Sequence, residues 1–528
     1  MQIPQTNQNK MEREPCIGHE CGRSSFSGTI IKTYCSIAAL AVVMVGTPIS
    51  SMADADGQVS VPKILSNGDL TISYTGTLGN QYVAEWASNL IPPVTWIPLR
   101  TNTPNGPVSL TNTPASSQGF YRVLSGPLPF VYAIENTGTN YPPPPLPTLA
   151  NSTSIGPLPD PFAWAAVPLG QTRSTNFADW EHRRNEIAAQ IENYEIGPKP
   201  AVDIASQVTA SYSGGTTPGS SGTLTVHVTV GTNTLTLTSP VSIPAAATAP
   251  YPVCIGMDSS YGSLTFSDFT SRGIVGIAYS ESQVSPYNSP SNTDPYHTLY
   301  GPGLNISNTG QYSAWAWGVS RVIDGLTLVT NTLPIDLKHI CVTGCSYAGK
   351  LALFAGAFDE RVALTIAQES GGGGDTSWRY SHTDTSTVEL IDNTDYNWFE
   401  DSMLQFSANN VSYLPEDHHE LMAMCAPRAL YCTANTDFTW LSNPSAYVCG
   451  QACARVYQTF GIGDRFGFNV DGGHGHCSFP SDQESELQYF LNKFMLGQTN
   501  LSQTIRTYPG SYTSISLSRW YSWWGTQH

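Results

Sequence analysis

The sequence predicts an α/β fold: a mostly parallel sheet with helices on both faces, preceded by a small all-β module. Two observations predict it. From about residue 250 onward, short apolar runs alternate with stretches of helical period, as where "HICVTGCS" leads into "YAGKLALFAGAFD". Such alternation builds parallel strands joined by crossover helices. Residues 54–128 instead alternate apolar and polar side chains at period two, as in "LTISYTGTLGNQYVAEWAS", with no stretch of helical period.

Bulk composition narrows the function. The 528-residue chain has room for more than one domain. Only 12% of it is charged and its net charge is −17. That balance argues against nucleic acid and membrane as partners, because both call for basic patches. Lys32 precedes an apolar run from about Tyr34 to Ile49 that is short for a membrane span. Ser51-Met52-Ala53 then offers a small-residue cleavage site. Residues 1–53 therefore read as a signal peptide region, and the protein as secreted, extracellular or periplasmic. Of eleven cysteines, Cys16, Cys21 and Cys35 fall in that region. The remaining eight are an even number, which in an exported chain suggests disulfides. No paired C-x-x-C knuckles point to zinc. Asp417-His418-His419 reads as structural or pocket-lining rather than as a metal site, and no cofactor is expected.

The elements follow in order. Within the β module, Trp86 and Trp96 read as core residues. Residues 129–157 form a Pro-rich linker whose four consecutive prolines favour a stiff polyproline II spacer. The α/β domain is expected over 158–500. It opens on a helix in "DWEHRRNEIAAQIENYEIG", with Asp179 as cap and Gly197 as terminator. Residues 205–245 read as Thr/Val strands with glycine turns, and "PYPVCIGMD" as a buried strand. "SAWAWGVSRVIDGLTLVTN", "AYVCGQACARVYQTFGI" and "ESELQYFLNKFMLG" read as helices. "VALTIAQESGGGG", "MCAPRALYCTANTDFTWLS" and "RFGFNVDGGHGHCSFP" each read as a strand that runs into a loop. Residues 501–528, with Trp520, Trp523 and Trp524, are a C-terminal tail expected to pack on the domain.

The chemistry centres on "GCSYAGK" at 344–350. A nucleophile elbow needs a strand, a strained turn and a helix, with small residues around the serine because the two backbones approach closely. Gly344, Ala348 and Gly349 supply them around Ser346. The fold that carries such an elbow is the three-layer α/β-hydrolase sandwich, in which acid and base follow the serine in chain order on loops after strands. Glu369 sits on such a loop, as do His474 and His476. Asp437 occupies a second loop where this fold also places the acid. Cys345 adjoins Ser346 and Cys477 adjoins His476. If Ser346 and His476 meet, the two thiols meet as well; the alternative is a buried free Cys345.

Residues 158–496 resemble the glucuronoyl esterases of carbohydrate esterase family 15, and the chain is identified as a member of their bacterial type. The family's elbow, G-C-S-R-x-G-K, is matched by Gly344, Cys345, Ser346, Gly349 and Lys350. Similar segments include "LPDPF", "WEHRRNEI", "GAFDERVALTIAQESGGGG", "LPEDHHELMAMCAPRAL" and "GGHGHCSFP". The resemblance implies a secreted esterase without a metal that cleaves esters between 4-O-methyl-glucuronic acid on xylan and lignin alcohols. Its partner would be glucuronoxylan or a lignin–carbohydrate ester, and the chain is expected to be a monomer. It implies Ser346 as nucleophile, His476 as base, Glu369 as acid ahead of Asp437, and a Cys345–Cys477 bridge. Lys350 matches a lysine that contacts sugar hydroxyls, and Trp440 a tryptophan beside the sugar. Asp395 falls where the family often has a sugar-binding glutamate. Tyr347 departs from the pattern: the family has an arginine there that helps hold the oxyanion, a task left to backbone amides, to the Tyr347 hydroxyl or to another cation. Two other readings stand beside this one: an acetyl xylan or feruloyl-type esterase, and a carbohydrate-binding protein with an inactive hydrolase fold.

Overall fold

The computed structural model describes residues 31–33, 60, 63–113, 119–165 and 173–521. Almost all of the expected signal region, and Trp523 and Trp524 of the tail, lie outside the described residues. The chain divides into two units.

The smaller unit is all β. One sheet carries Lys63–Ile64, Leu70–Gly76 and Gly106–Asn112; the other includes Asn80–Ala87, Ile97–Asn102 and Gly119–Pro127. Period-two alternation buries Leu70, Ile72, Tyr74, Tyr82, Tyr121 and Val123 in one cluster. Trp96 lies under the Arg122 guanidinium, 4.2 Å from its ring centroid, and Arg122 pairs with Glu85.

The larger unit is built on ten strands: β1 (Val208–Gly214), β2 (Ser221–Val230), β3 (Asn233–Ser242), β4 (Tyr251–Met257), β5 (Val275–Tyr279), β6 (Ile335–Cys345), β7 (Leu364–Gln368), β8 (Ala429–Asn435), β9 (Phe466–Asp471) and β10 (Ile505–Thr507). They lie side by side in the order β10-β9-β8-β7-β6-β4-β5-β3-β2-β1. From β5 through β10 every neighbouring pair is parallel; β3, β2 and β1 extend the sheet antiparallel. The central strands β7 and β8 are buried along their whole length, which demands cover on both faces. Alternate residues serve two cores: Val253, Ile255, Leu430 and Cys432 face one, and Cys254, Ala429 and Tyr431 the other. This is the three-layer hydrolase sandwich the alternation predicts.

Three helices matter for the site: α1 (Phe177–Ile191), α2 (Gln311–Leu328) and α3 (Tyr347–Phe358). The α1 cap is Asn176, whose side chain accepts from Ala178 N, rather than Asp179, which lies inside the first turn. There its carboxylate favours the helix dipole. The helix closes through a π turn at Gly197, φ 76°.

The Pro-rich segment does not behave as a free spacer. Tyr132 N donates to Glu360 O and Glu360 N to Glu135 O, while Ile155 N donates to Ser412 O. Glu135 pairs with the buried side chains of Lys199 and Arg321. Two cations buried together need a carboxylate, and this one holds the segment onto the hydrolase unit. The C-terminal tail also packs: β10 joins the sheet edge and Trp520 lies 4.9 Å from Tyr380.

Close approach of α3 to β7 sets a test of the core. A Cβ on Gly356 would lie 1.9 Å from Thr365 Oγ1. Gly356→Ala should destabilise the protein by about 1–3 kcal/mol, read as a lower denaturation midpoint with KM unaltered in the remaining folded enzyme.

Candidate active site

Strand β6 ends at Cys345 and α3 begins at Tyr347, so Ser346 is the whole of the turn. Its backbone is strained, at φ 60° and ψ −127°. Ser346 N donates to Gln368 O on β7, and Ser346 O accepts from Gly349 N and Lys350 N. The small neighbours are required: a Cβ on Gly344 would meet Ala348 O at 2.2 Å, and one on Gly349 would meet Gln368 O at 2.4 Å. As the first residue of α3, Tyr347 has an amide with no intrahelical acceptor, which suits it to hold an oxyanion.

Glu369 follows β7 directly. It is 1% exposed and adopts φ 46°. Its Oε2 accepts from His476 Nδ1 at 2.5 Å and from Cys477 N at 3.1 Å. With Nδ1 donating, Nε2 of His476 is the nitrogen left to take a proton. Cys345 and Cys477 are bonded, with a Cα–Cα distance of 5.7 Å, so Ser346 and His476 are the chain neighbours of a short cross-link. His474 also lies near Glu369, at 3.7 Å from Oε1, but its Nδ1 faces Asn435 Nδ2 and Gly475 O. Six described non-glycine residues have positive φ, and Asp258, Ser346, Glu369 and Cys477 are four of them. Strain of this kind persists where surrounding structure fixes it.

Asp437 does not reach the histidine. Its Oδ2 accepts from Gly473 N and holds the turn before the His476 loop. Of the two carboxylates, Glu369 is the one bonded on the Nδ1 side of His476.

Lys350 lies one helical turn beyond Ser346 and is 4% exposed. Its Nζ donates to Glu389 Oε2 at 2.6 Å and sits 4.5 Å from the Trp398 ring centroid. Thr394 Oγ1 donates to the other Glu389 oxygen. Glu389 N in turn donates to the carbonyl of Trp440. Trp440 is 45% exposed on the turn Thr439–Leu441, and its ring lies 5.7 Å from His476. Lys350, Glu389 and Trp440 thus form one wall. Asp395 Oδ1 accepts from Asn397 N two residues on, a turn contact. Glu389 is the carboxylate that faces Lys350. Sequence reasoning missed it, although a buried lysine calls for a carboxylate partner.

The Tyr347 hydroxyl is also reassigned. It donates to Asp258 Oδ2 at 2.7 Å, so its proton is committed away from an oxyanion. Burial first, and then that bond, hold its pKa well above the ordinary phenol value. Its ring packs on Tyr287 at 4.4 Å.

Beneath the glycine loop lies a buried polar layer. Asp375 accepts from Ser370 Oγ and Gly371 N, and burial pushes its pKa up to about 6. Asp417 caps the helix His418–Ala423 and accepts from Ser377 Oγ, Trp378 N and Arg379. His418 bridges Gly374 O and Glu195 Oε2, and His419 Nε2 meets Pro159 O. Asp417 and His418 hold the glycine loop and the helix start that follows it, whereas His419 is bonded to the segment that opens the domain. Among the described residues no group of three or more His, Cys, Asp or Glu is arranged to hold a metal ion.

Comparison with known proteins places the chain in a family. Residues 226–461 match the family profile described as glucuronyl esterase, fungi. The chain is 38% identical over 378 residues to 4-O-methyl-glucuronoyl methylesterase 1 of Wolfiporia cocos, covering 69% of this chain and 88% of the relative. It is 33% identical to the enzyme of that name from Podospora anserina, covering 81% and 82%. Among solved structures, the glucuronoyl esterase catalytic domain from Hypocrea jecorina superposes with a TM-score of 0.63 at 33% identity, covering 72% of this chain and 99% of that one. A serine-to-alanine mutant of the glucuronoyl esterase from Sporotrichum thermophile, in complex with methyl 4-O-methyl-beta-D-glucopyranuronate, gives 0.61 at 30% identity, covering 70% and 95%. The expectation of a bacterial type is not upheld: the profile is the fungal one, and the curated relatives are fungal enzymes.

The cross-link closes a 132-residue separation. Replacing both Cys345 and Cys477 by alanine should cost about 2–4 kcal/mol in denaturant unfolding, and should lower kcat, since the base loop loses its tie to the elbow.

Proposed function

The chain belongs to the glucuronoyl esterases of carbohydrate esterase family 15, and from that premise we propose that it hydrolyses esters of (4-O-methyl-)glucuronic acid through a Ser346–His476–Glu369 acyl-enzyme mechanism. The observation that carries the reading is the 2.5 Å contact from His476 Nδ1 to a buried Glu369, on a loop cross-linked to the residue before Ser346. In this mechanism Ser346 Oγ attacks the ester carbonyl as His476 Nε2 removes its proton. Glu369 fixes the tautomer and stabilises the imidazolium that forms. The Tyr347 amide faces the developing oxyanion; a second donor comes from the loop after β4, as in this fold generally. The tetrahedral intermediate collapses, and His476 returns the proton to the departing alcohol. Water, deprotonated by the same histidine, then releases the glucuronate.

The acid side of the ester is a charged, hydroxyl-rich sugar ring. The wall of Lys350, Glu389 and Trp440 suits it: two charged groups for hydroxyls and one exposed indole for an apolar ring face. An acetyl group would use none of these, which weighs against the acetyl esterase reading. In the polymer, the alcohol would be lignin and the sugar a glucuronoxylan branch. Export fits this substrate, and no helix of the described residues is long and apolar enough to cross a membrane.

Methyl 4-O-methylglucuronate and acetylated xylan serve as test substrates. The first should be turned over and the second not; the reverse outcome would support the acetyl esterase reading. Ser346→Ala should lose at least about 10³-fold in kcat, and Glu369→Gln about as much. Asp437→Asn should stay within about threefold of wild type, as expected of a turn-capping residue. Lys350→Met should raise KM for the glucuronate about tenfold or more, since one charge-assisted hydrogen bond is lost.

A further inference from the structure

Tyr347 stands where the family carries an arginine, and its hydroxyl is bound to a carboxylate. That carboxylate, Asp258, is the first residue after β4, at φ 64°. The loop it opens is the one from which this fold draws its second oxyanion amide. Asp258 N donates to Tyr279 O on β5, which fixes the start of the loop. Asp258 has a second carboxyl beside it. Glu281 is 3% exposed, and its Oε2 is buried with no hydrogen-bond donor among the described residues. The bond from Asp258 N to Tyr279 O, two residues before Glu281, brings the two carboxyls close enough to interact. Two carboxyl groups in contact favour a single shared proton over double ionisation.

We propose that Glu281, Asp258 and the Tyr347 hydroxyl form a positioning relay, in which protonated Glu281 donates to Asp258 and Asp258 accepts from Tyr347. The relay ties the start of α3, with its oxyanion amide, to the loop that carries the other donor. It replaces by hydrogen bonds what a guanidinium does by charge. None of the three side chains touches the reacting atoms, so all three are positioning residues.

The relay has a pH limit. Burial, then the bond and charge of Asp258, raise the Glu281 pKa to about 7. Tyr279 on β5, Tyr287 on the next loop and Tyr347 on α3 are the other titratable groups that face it, and all three are neutral phenols in this range. Because the pKa is raised, the intact relay is present below it and lost as pH rises through it. Two adjacent negative charges then replace one shared proton, Asp258 is pushed from its place, and kcat falls.

The test rests on the proposed ester hydrolysis and uses the full chain with methyl 4-O-methylglucuronate. Tyr347→Phe should lower kcat about tenfold with KM within about twofold, the loss of one charge-linked hydrogen bond. Glu281→Gln keeps a donor that does not ionise. The ratio of its kcat to that of wild type should rise at least about fivefold from about pH 6 to about pH 8.5, and taking a ratio cancels any pH dependence common to both. In the Tyr347→Phe background that ratio should be flat. A flat ratio in the wild-type background, or a ratio that still rises without the hydroxyl, overturns the relay. If Glu281→Gln does not fold, Asp258→Asn, at an exposed position, is read by the same ratio and must also rise. A wild-type chain with no activity defeats the esterase reading itself; an active chain with a flat ratio defeats only the relay.

Discussion

The buried carboxylate of Glu369 is the constraint on which the rest of the site depends. An isolated charge taken out of water costs several kcal/mol unless donors surround it. Two of those donors, His476 Nδ1 and Cys477 N, come from a single loop more than a hundred residues away in sequence. The loop must therefore come to the carboxylate, and in doing so it brings the imidazole into place. Both ends of this contact sit at positive φ, which no side chain adopts without cause. The cross-link to Cys345 answers the strain, because it holds Cys477 against the elbow whether or not the histidine is charged.

A second layer of buried polar groups supports the first. The glycine loop after Glu369 has little side-chain packing of its own; its backbone is held from below by Asp375 and His418, and the helix start that follows it by Asp417. Buried carboxylates and imidazoles of this kind rarely add net stability over apolar packing, but they fix geometry. Burial lowers the basicity of His418, yet the Glu195 and Asp417 carboxylates outweigh it and keep its pKa above the ordinary value. The result is a loop whose position is set by directional bonds rather than by side-chain volume.

What was legible in the sequence follows from what is local. The α/β alternation could be read because β7 and β8 are short apolar runs buried on both faces. Ser346, Glu369 and His476 could be read because each follows a strand, in the chain order the fold imposes. Glu389 could not. Its role depends on facing Lys350 from 39 residues along the chain, and nothing periodic in "TSTVELIDNTDYNWF" singles it out over Asp395. The Pro-rich segment misled for a related reason: polyproline stiffness is a local property, whereas its docking rests on Glu135 meeting Lys199 and Arg321. Cap choice between Asn176 and Asp179 was decided by where the helix begins, and boundaries are the least local feature of an element.

The exchange at position 347 has a consequence for how the site divides its work. A guanidinium beside the nucleophile offers a fixed charge that is tolerant of small displacements, since Coulomb attraction falls slowly with distance. Backbone amides offer dipoles whose value depends on angle and on a few tenths of an ångström. An elbow that relies on amides must therefore hold them more firmly than one that has a cation. The firm elements here are those around Tyr347: the bond to Asp258, the ring contact with Tyr287, and the Cys345–Cys477 link one residue before the serine. The sugar wall shows the opposite arrangement, with a true cation in Lys350 and an exposed indole in Trp440. Charge in this site lies in the wall of Lys350 and Glu389, and directional bonds lie around the elbow.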